Sequence, residues 1–256
     1  MLNPEEKTRK ELIDTALKKA WWDFETQIIE EEPYEWVEII NWIQEKIWKS
    51  WRIDYLLCIT KDWVKLPIAI LEAKKEEEFS SLWLEQAKKY ADRFYVPFCF
   101  STNWKLVSAY DYNSNKTIFD FPIWEFPSPE KLQKLYEEKR WFKLDDKNAS
   151  SLFQKYSNTT NKPRYYQDAS IRAAIEKTLT KWEKNNRVLL ALATWAWKTT
   201  LAVQLMYKLI KSNNAKKVLF LCDRTTLWSQ ALWDFTNAFW AEVVLFSKKQ
   251  NLKMLK

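Results

Sequence analysis

Residues 54–74 read DYLLCITKDWVKLPIAILEAK, and this stretch decides the fold. Two apolar, β-rich runs, 53–59 and 66–73, flank the pair Asp62-Trp63. Asn-Gly and Asp-Gly are the strongest two-residue hairpin signals, because a type I′ turn needs φ > 0 at both central positions. Here Trp stands where Gly is expected, and its Cβ disfavours that conformation. The runs still predict a hairpin. Asp54 opens its first strand. Glu72 and Lys74, two apart at the end of the second, share one face.

Working outward, the same signal recurs at Asn103-Trp104, between 96–101 and 105–110, and predicts a second hairpin. Between the hairpins, 80–94 has helical spacing, with Leu84, Ala87, Ala91 and Phe94 apolar. Upstream lie a predicted helix over 4–20, with Leu12, Ile13, Ala16 and Leu17 on one face, and strand material over 27–40 broken by Pro33. Downstream, FPIWEFPSPEKL (121–132) carries three prolines and ends the compact unit; 130–140 is predicted helical and 143–162 is polar. The expected division is a domain over 1–145, a linker over 146–162 and a second unit over 163–256. That unit alternates helix 166–180, strand 188–194, helix 198–211, strand 217–222, helix 226–239 and strand 242–246. Such alternation predicts a parallel, doubly wound sheet.

Composition sets outer limits. A chain of 256 residues holds one or two domains. Hydrophobic content of 47% with 29% charged residues excludes disorder, collagen and a disulfide scaffold. No apolar run approaches the roughly 18 residues of a membrane span. The charged start MLNPEEKTRKELID is no signal peptide. Three cysteines at no ligand spacing, all in apolar runs, are expected to be buried, reduced thiols of a cytoplasmic protein. The absence of His excludes imidazole bases and most zinc sites, so hydrolysis would rest on carboxylates, Lys and hard metals. A net charge of +7 mildly favours an anionic partner.

The chain has no Gly and 17 Trp. Average usage of about 7% would supply about 18 glycines. Trp63 and Trp104 occupy turn positions, Trp21 and Trp240 follow helical segments where a left-handed Gly is common, and Trp195 and Trp197 interrupt ATWAWKTT. Most of these Trp are expected to stand for glycine, as when UGA encodes Gly but is translated as Trp. Trp22 is expected to be a true Trp.

Two constellations carry chemistry. Asp54, Glu72 and Lys74 are the set a magnesium nuclease needs: two carboxylates hold a hard cation, a nearby water becomes more acidic, and Lys74 positions it or helps deprotonate it. Gln86 and Tyr90 lie four apart on one helix face. The second is ATWAWKTT (193–200), which with Gly at 195 and 197 reads ATGAGKTT between a buried strand and a helix. Such a loop wraps phosphates with backbone N–H groups. ATP would then be held by Thr194, Trp195, Ala196, Trp197, Lys198, Thr199 and Thr200, with Lys198 on the β/γ-phosphates and Thr199 on Mg2+. With two literal indoles there, ATP binding should fail.

The first set resembles the PD-(D/E)XK nucleases, and Gln-x-x-x-Tyr places it near their RecB-like branch. That resemblance implies Asp54 and Glu72 as metal ligands, Lys74 as catalytic, and Gln86 and Tyr90 as orienting or DNA-contacting groups. Either Glu30 or Glu31 would add a carboxylate. Gln167 in PRYYQ resembles the adenine-reading Gln of superfamily-two helicases, and Asp223, Arg224 and Gln230 resemble the strand-tracking motif Ia. With TRKELID, FSTN and FPSPEKL in order, the whole chain resembles the N-terminal part of a type I restriction endonuclease R subunit, the HsdR type. The resemblance implies an α/β nuclease domain followed by a RecA-like parallel-sheet lobe that stops before the DExH box. It implies Mg2+ and ATP as cofactors, double-stranded DNA as substrate, and methyltransferase and specificity subunits as partners. Alternatives are another nuclease–helicase fusion, or a nucleic-acid-binding fragment whose literal Trp side chains stack on bases.

Overall fold

The structure, a computed structural model, describes residues 9–34, 37–40, 43–46, 51–74, 83–158, 163–179, 187–192, 197–222, 225–239 and 243. A π-helical turn, Arg9–Ile13, leads into α1 (Asp14–Lys19). Strands follow as β1 (Ile28–Tyr34), β2 (Val37–Ile40), β3 (Ile43–Lys46), β4 (Trp51–Lys61) and β5 (Val64–Ala73). Helix α2 (Leu84–Phe94) precedes β6 (Phe98–Thr102), β7 (Leu106–Asp111) and β8 (Lys116–Pro122). The remaining helices are α3 (Pro129–Arg140), α4 (Tyr165–Leu179), α5 (Lys198–Lys211) and α6 (Thr225–Phe239).

Six strands form a mixed sheet in the order β1-β4-β5-β6-β7-β8, antiparallel except for the parallel pair β5–β6. β2 and β3 pair separately. Both expected hairpins are present. β4 and β5 pair up to Lys61↔Val64, and Asp62 and Trp63 have φ of 52° and 62°, as a type I′ turn requires. The β6–β7 loop differs: it spans three residues, with only Trp104 left-handed and Asn103 Oδ1 accepting from Lys105 N and Leu106 N. Pro33 does not break β1, because β1 is an edge strand and a missing N–H there disrupts no second ladder.

Alternation along β4 and β5 gives the sheet two buried faces. Tyr55, Leu57, Ile68 and Leu71 join Ile13, Leu17, Leu132 and Tyr136 on one side. Leu56, Cys58 and Ile70 join Leu84, Ala87, Tyr90, Ala91 and Phe94 of α2 on the other. Leu84, Ala87, Ala91 and Phe94 are thus buried as their spacing predicts. Leu12 is exposed, whereas Ile13, Ala16 and Leu17 are buried.

Three stretches carry detail that the sequence reading did not foresee. The segment foreseen as a linker (146–162) is no free tether over its described part: Lys147–Ser151 is a 3₁₀ turn, and Ala149, Leu152 and Phe153 enter the main core. Its polar surface residues concealed a few apolar anchors. Arg187–Leu192 and Lys217–Cys222 form no strand, and of 242–246 only Val243 is described, also without one. A parallel-sheet strand is stable only with ladders at its edges and cover on both faces. No described strand lies beside these runs, so Leu189, Leu219 and Leu221 stay exposed and the foreseen parallel sheet is not formed among the described residues. Cys222 is accordingly exposed; Cys58 and Cys99 are buried as expected.

Candidate active site

The hairpin brings Asp54, Glu72 and Lys74 together, and α2 pairs Gln86 with Tyr90. Tyr55 pairs with Leu71, so Asp54 lies opposite Glu72 across the β4–β5 ladder. Asp54 Oδ2 accepts from Ala73 N at 2.8 Å, which fixes that carboxylate against the end of β5. Just beyond the strand, Lys74 N donates to Thr102 O of β6 at 2.8 Å. The parallel neighbour thereby holds Lys74 in the extended conformation that keeps it on the face of Glu72. Lys74 Nζ lies 3.7 Å from Glu72 Oε2 and 4.8 Å from the Trp83 ring centre. On α2, Gln86 Nε2 donates to Tyr90 OH at 2.7 Å, the contact their four-residue spacing predicts. Trp83 is a neighbour that the sequence did not signal; no spacing ties it to Lys74.

Glu72 is the chemically unusual group. It is 1% exposed, and its Oε1 has no hydrogen-bond partner. Burial, and secondarily the charge of Asp54, raises its pKa to about 8, with Lys74 opposing. A buried carboxylate oxygen without a donor, beside a second carboxylate, suits a hard cation. Asp54 and Glu72 therefore fit Mg2+. Among the described residues no group of three or more His, Cys, Asp or Glu side chains forms a cation site. Of the two upstream acids, Glu30 pairs with Tyr55, whose side chain belongs to the opposite face, and Glu30 is exposed. Glu31 occupies the register position between the Glu30–Tyr55 and Glu32–Ile53 pairs, opposite Asp54.

The shift at Glu72 has a sign that can be tested. A carboxyl that holds its proton more tightly when folded contributes stability that is full below its unfolded pKa and is lost as pH rises through about 8. In metal-free buffer the melting temperature should fall as pH is raised through that value. The fall should be smaller in Glu72→Gln. An equal fall in both would refute burial of a titrating Glu72.

The second constellation is only partly described. Lys198, Thr199 and Thr200 open α5, and Leu201 N donates to Trp197 O at 3.1 Å. Thr194, Trp195 and Ala196 lie outside the described residues, as do Asp223 and Arg224 and the side chain of Gln230. Gln167, at the start of α4, is buried, and its Oε1 accepts from Arg164 N at 2.9 Å. Trp197 is left-handed (φ 53°, ψ 52°) and caps α5 without a side-chain hydrogen bond. A phosphate cradle needs bare backbone at that point, and Trp197 carries a Cβ and an exposed indole there instead. Trp197 as written does not suit a phosphate cradle.

The two regions touch through α4. Tyr165 stacks on Phe94 of α2 at 5.2 Å. Arg172 donates through Nη1 to Tyr95 O at 3.2 Å, through Nη2 to Phe94 O, and through Nε to Asp168 Oδ2 at 2.7 Å. Asp168 also accepts from Tyr156 OH at 2.5 Å. Burial alone would raise Asp168, but the Arg172 charge and the Tyr156 hydroxyl hold it below the usual carboxylate range. The Asp168–Arg172 pair and its reach to α2 were not foreseen from the sequence; the four-residue spacing was the one signal available.

Comparisons with known proteins relate the chain to subunits of restriction enzymes. Residues 160–254 match the ResIII family, described as the type III restriction enzyme res subunit. The chain is 28% identical to the type I restriction enzyme EcoKI endonuclease subunit of Escherichia coli K12 over 91% of its length, and 29% identical to the EcoAI endonuclease subunit of Escherichia coli over 84%. A fragment structure of an HsdR subunit of a type I restriction enzyme from Vibrio vulnificus YJ016 superposes over 83% of the chain, with a TM-score of 0.66 and 28% identity. These homologues are HsdR-type subunits of type I restriction enzymes, and the chain is similar to part of one. The chain spans about a quarter of the curated relatives' length (24% and 26%) and covers 39% of the solved chain.

Proposed function

We propose that the chain is the nuclease portion and the beginning of the motor of a type I restriction R subunit. The nuclease domain runs over 1–145, the connection over 146–162, and the motor lobe begins at 163. The substrate is double-stranded DNA, and the reaction is Mg2+-dependent hydrolysis of a phosphodiester. The partners are the methyltransferase and specificity subunits, and in the whole subunit ATP-driven translocation delivers the DNA to be cut. The observation that carries the reading is the unpartnered, buried oxygen of Glu72 beside Asp54, with Lys74 on the same face. The endonuclease-subunit relatives support it.

In this reading Asp54 and Glu72 hold the cation. When bound, Mg2+ supplies Lewis-acid polarisation and charge neutralisation at the scissile phosphate. Lys74 orients the attacking water and donates to the charge that develops on phosphate. Gln86 and Tyr90, bonded to each other on α2, orient the site. Among the described residues no helix is long and apolar enough to cross a membrane, and the proposed place of action is the cytoplasm.

In the full-length subunit, Mg2+ should raise the melting temperature and support cleavage of plasmid DNA carrying the recognition site, with partner subunits and ATP present. Asp54→Asn should remove both effects. If Mg2+ stabilises Asp54→Asn as much as the parent, the cation site is elsewhere.

A further inference from the structure

We infer that the protein made in its native source carries glycine at positions 21, 63, 104, 141 and 197, and a true tryptophan at 22. The inference stands independently of the nuclease reading. Among the described residues, ten have positive φ: Trp21, Asp62, Trp63, Tyr95, Trp104, Asn115, Asp120, Trp141, Trp197 and Asn213. Non-glycine residues there are uncommon, and Asn and Asp are the usual exceptions. Four of the ten are Asn or Asp, as sterics predict; five are Trp, which sterics does not predict.

Each of the five performs a glycine's task. After α1, Trp22 N donates to Leu17 O and Trp21 N to Lys18 O, both at 3.0 Å. This pair of bonds is the Schellman termination, whose left-handed residue, here Trp21 (φ 70°), is usually Gly. Trp141 (φ 58°, ψ 28°) ends α3 in the same left-handed region. Trp63 is the second residue of a type I′ turn, the position at which Asp-Gly is favoured. Trp104 is the left-handed residue of the β6–β7 loop. Trp197 precedes Lys198 at the start of α5.

Side-chain surroundings separate these residues from Trp22. Trp21 and Trp63 are 80% and 83% exposed, and Trp141 and Trp197 are exposed as well. The Trp104 indole is half-buried with its Nε1 unpartnered. Trp22 is 2% exposed, and its Nε1 donates to Pro127 O at 2.9 Å. That is how a real Trp packs: ring in the core and N–H satisfied. One codon accounts for the set. If UGA encodes glycine in the source but is translated as tryptophan, the Trp other than Trp22, at most 16 of the 17, replace most of the roughly 18 glycines such a chain would carry. At 197 the consequence is chemical as well as steric: removing the Cβ and indole opens the backbone that phosphate would approach.

The test is peptide mass spectrometry on protein from the native source. Peptides covering 20–46, 62–65, 94–105, 141–143 and 188–198 should each be lighter than written by whole Trp-to-Gly differences. Fragmentation of the first should show glycine at position 21, directly ahead of Trp22. Trp at all five positions would overturn the inference. A recombinant pair gives a second reading. The chain with Trp21, Trp63, Trp104, Trp141 and Trp197 all changed to Gly should melt at a higher temperature than the chain as written, whereas Trp22→Gly should lower it. An unchanged or lower melting temperature for the five-glycine chain would equally overturn it.

Discussion

Lys74→Ala in the full-length subunit should lower the rate of DNA cleavage at saturating Mg2+ by roughly 10²- to 10⁴-fold, the range for removing one acid–base or charge-stabilising group. The fold should survive, because Lys74 lies just past the end of β5 and its backbone bond to Thr102 O does not depend on its side chain. A second effect follows from the electrostatics. Lys74 is one of the groups that lower the Glu72 pKa against burial and Asp54. Without it, Glu72 should hold its proton to higher pH and bind Mg2+ more weakly near neutrality. Higher pH or more Mg2+ should therefore restore cation binding without restoring the rate. Cleavage by Lys74→Ala at the parental rate would sink the assignment of Lys74. Recovery of the full rate at high Mg2+ would reduce Lys74 to an electrostatic support of Glu72.

The first half of the chain, the proposed nuclease, was legible because its signals are local. The alternation of 53–59 and 66–73 fixed which residues share a face, so Asp54, Glu72 and Lys74 could be grouped before any packing was known. The spacing of Gln86 and Tyr90 likewise foretold their contact. Glu30 and Glu31 could not be separated, because one residue of register decides which face a strand side chain takes. The Glu30↔Tyr55 and Glu32↔Ile53 pairings set that register. The second unit was less legible for the opposite reason. VLLALAT and KVLFLC have strand composition, but a parallel strand takes its partners from distant chain segments, and composition does not say whether those are beside it. The buried contacts of Arg172 were equally invisible, since carbonyl acceptors at the end of α2 leave no mark in side-chain identity.

That arginine carries the second large effect. Arg172→Ala should destabilise the chain by about 3 kcal/mol, the lower end of the cost of removing one partner from a buried ion pair, because Asp168 is only partly buried. Arg172 is buried, and its loss withdraws donors from two sets of acceptors. Asp168 keeps only the Tyr156 hydroxyl among the partners that lower its pKa most, and Phe94 O and Tyr95 O lose their donor at the left-handed end of α2. Urea unfolding should show a lower midpoint with an unchanged slope. The double variant Arg172→Met, Asp168→Leu separates charge from packing: replacing a whole buried pair by apolar groups is often neutral, so much of the lost stability should return. The returned part measures the buried charge of Asp168; the part still missing measures the uncapped carbonyls of α2. Because α2 also carries Gln86 and Tyr90, the double variant should still cleave DNA more slowly than the parent while being nearly as stable. A double variant with parental cleavage would show that the clamp from α4 to α2 serves folding alone.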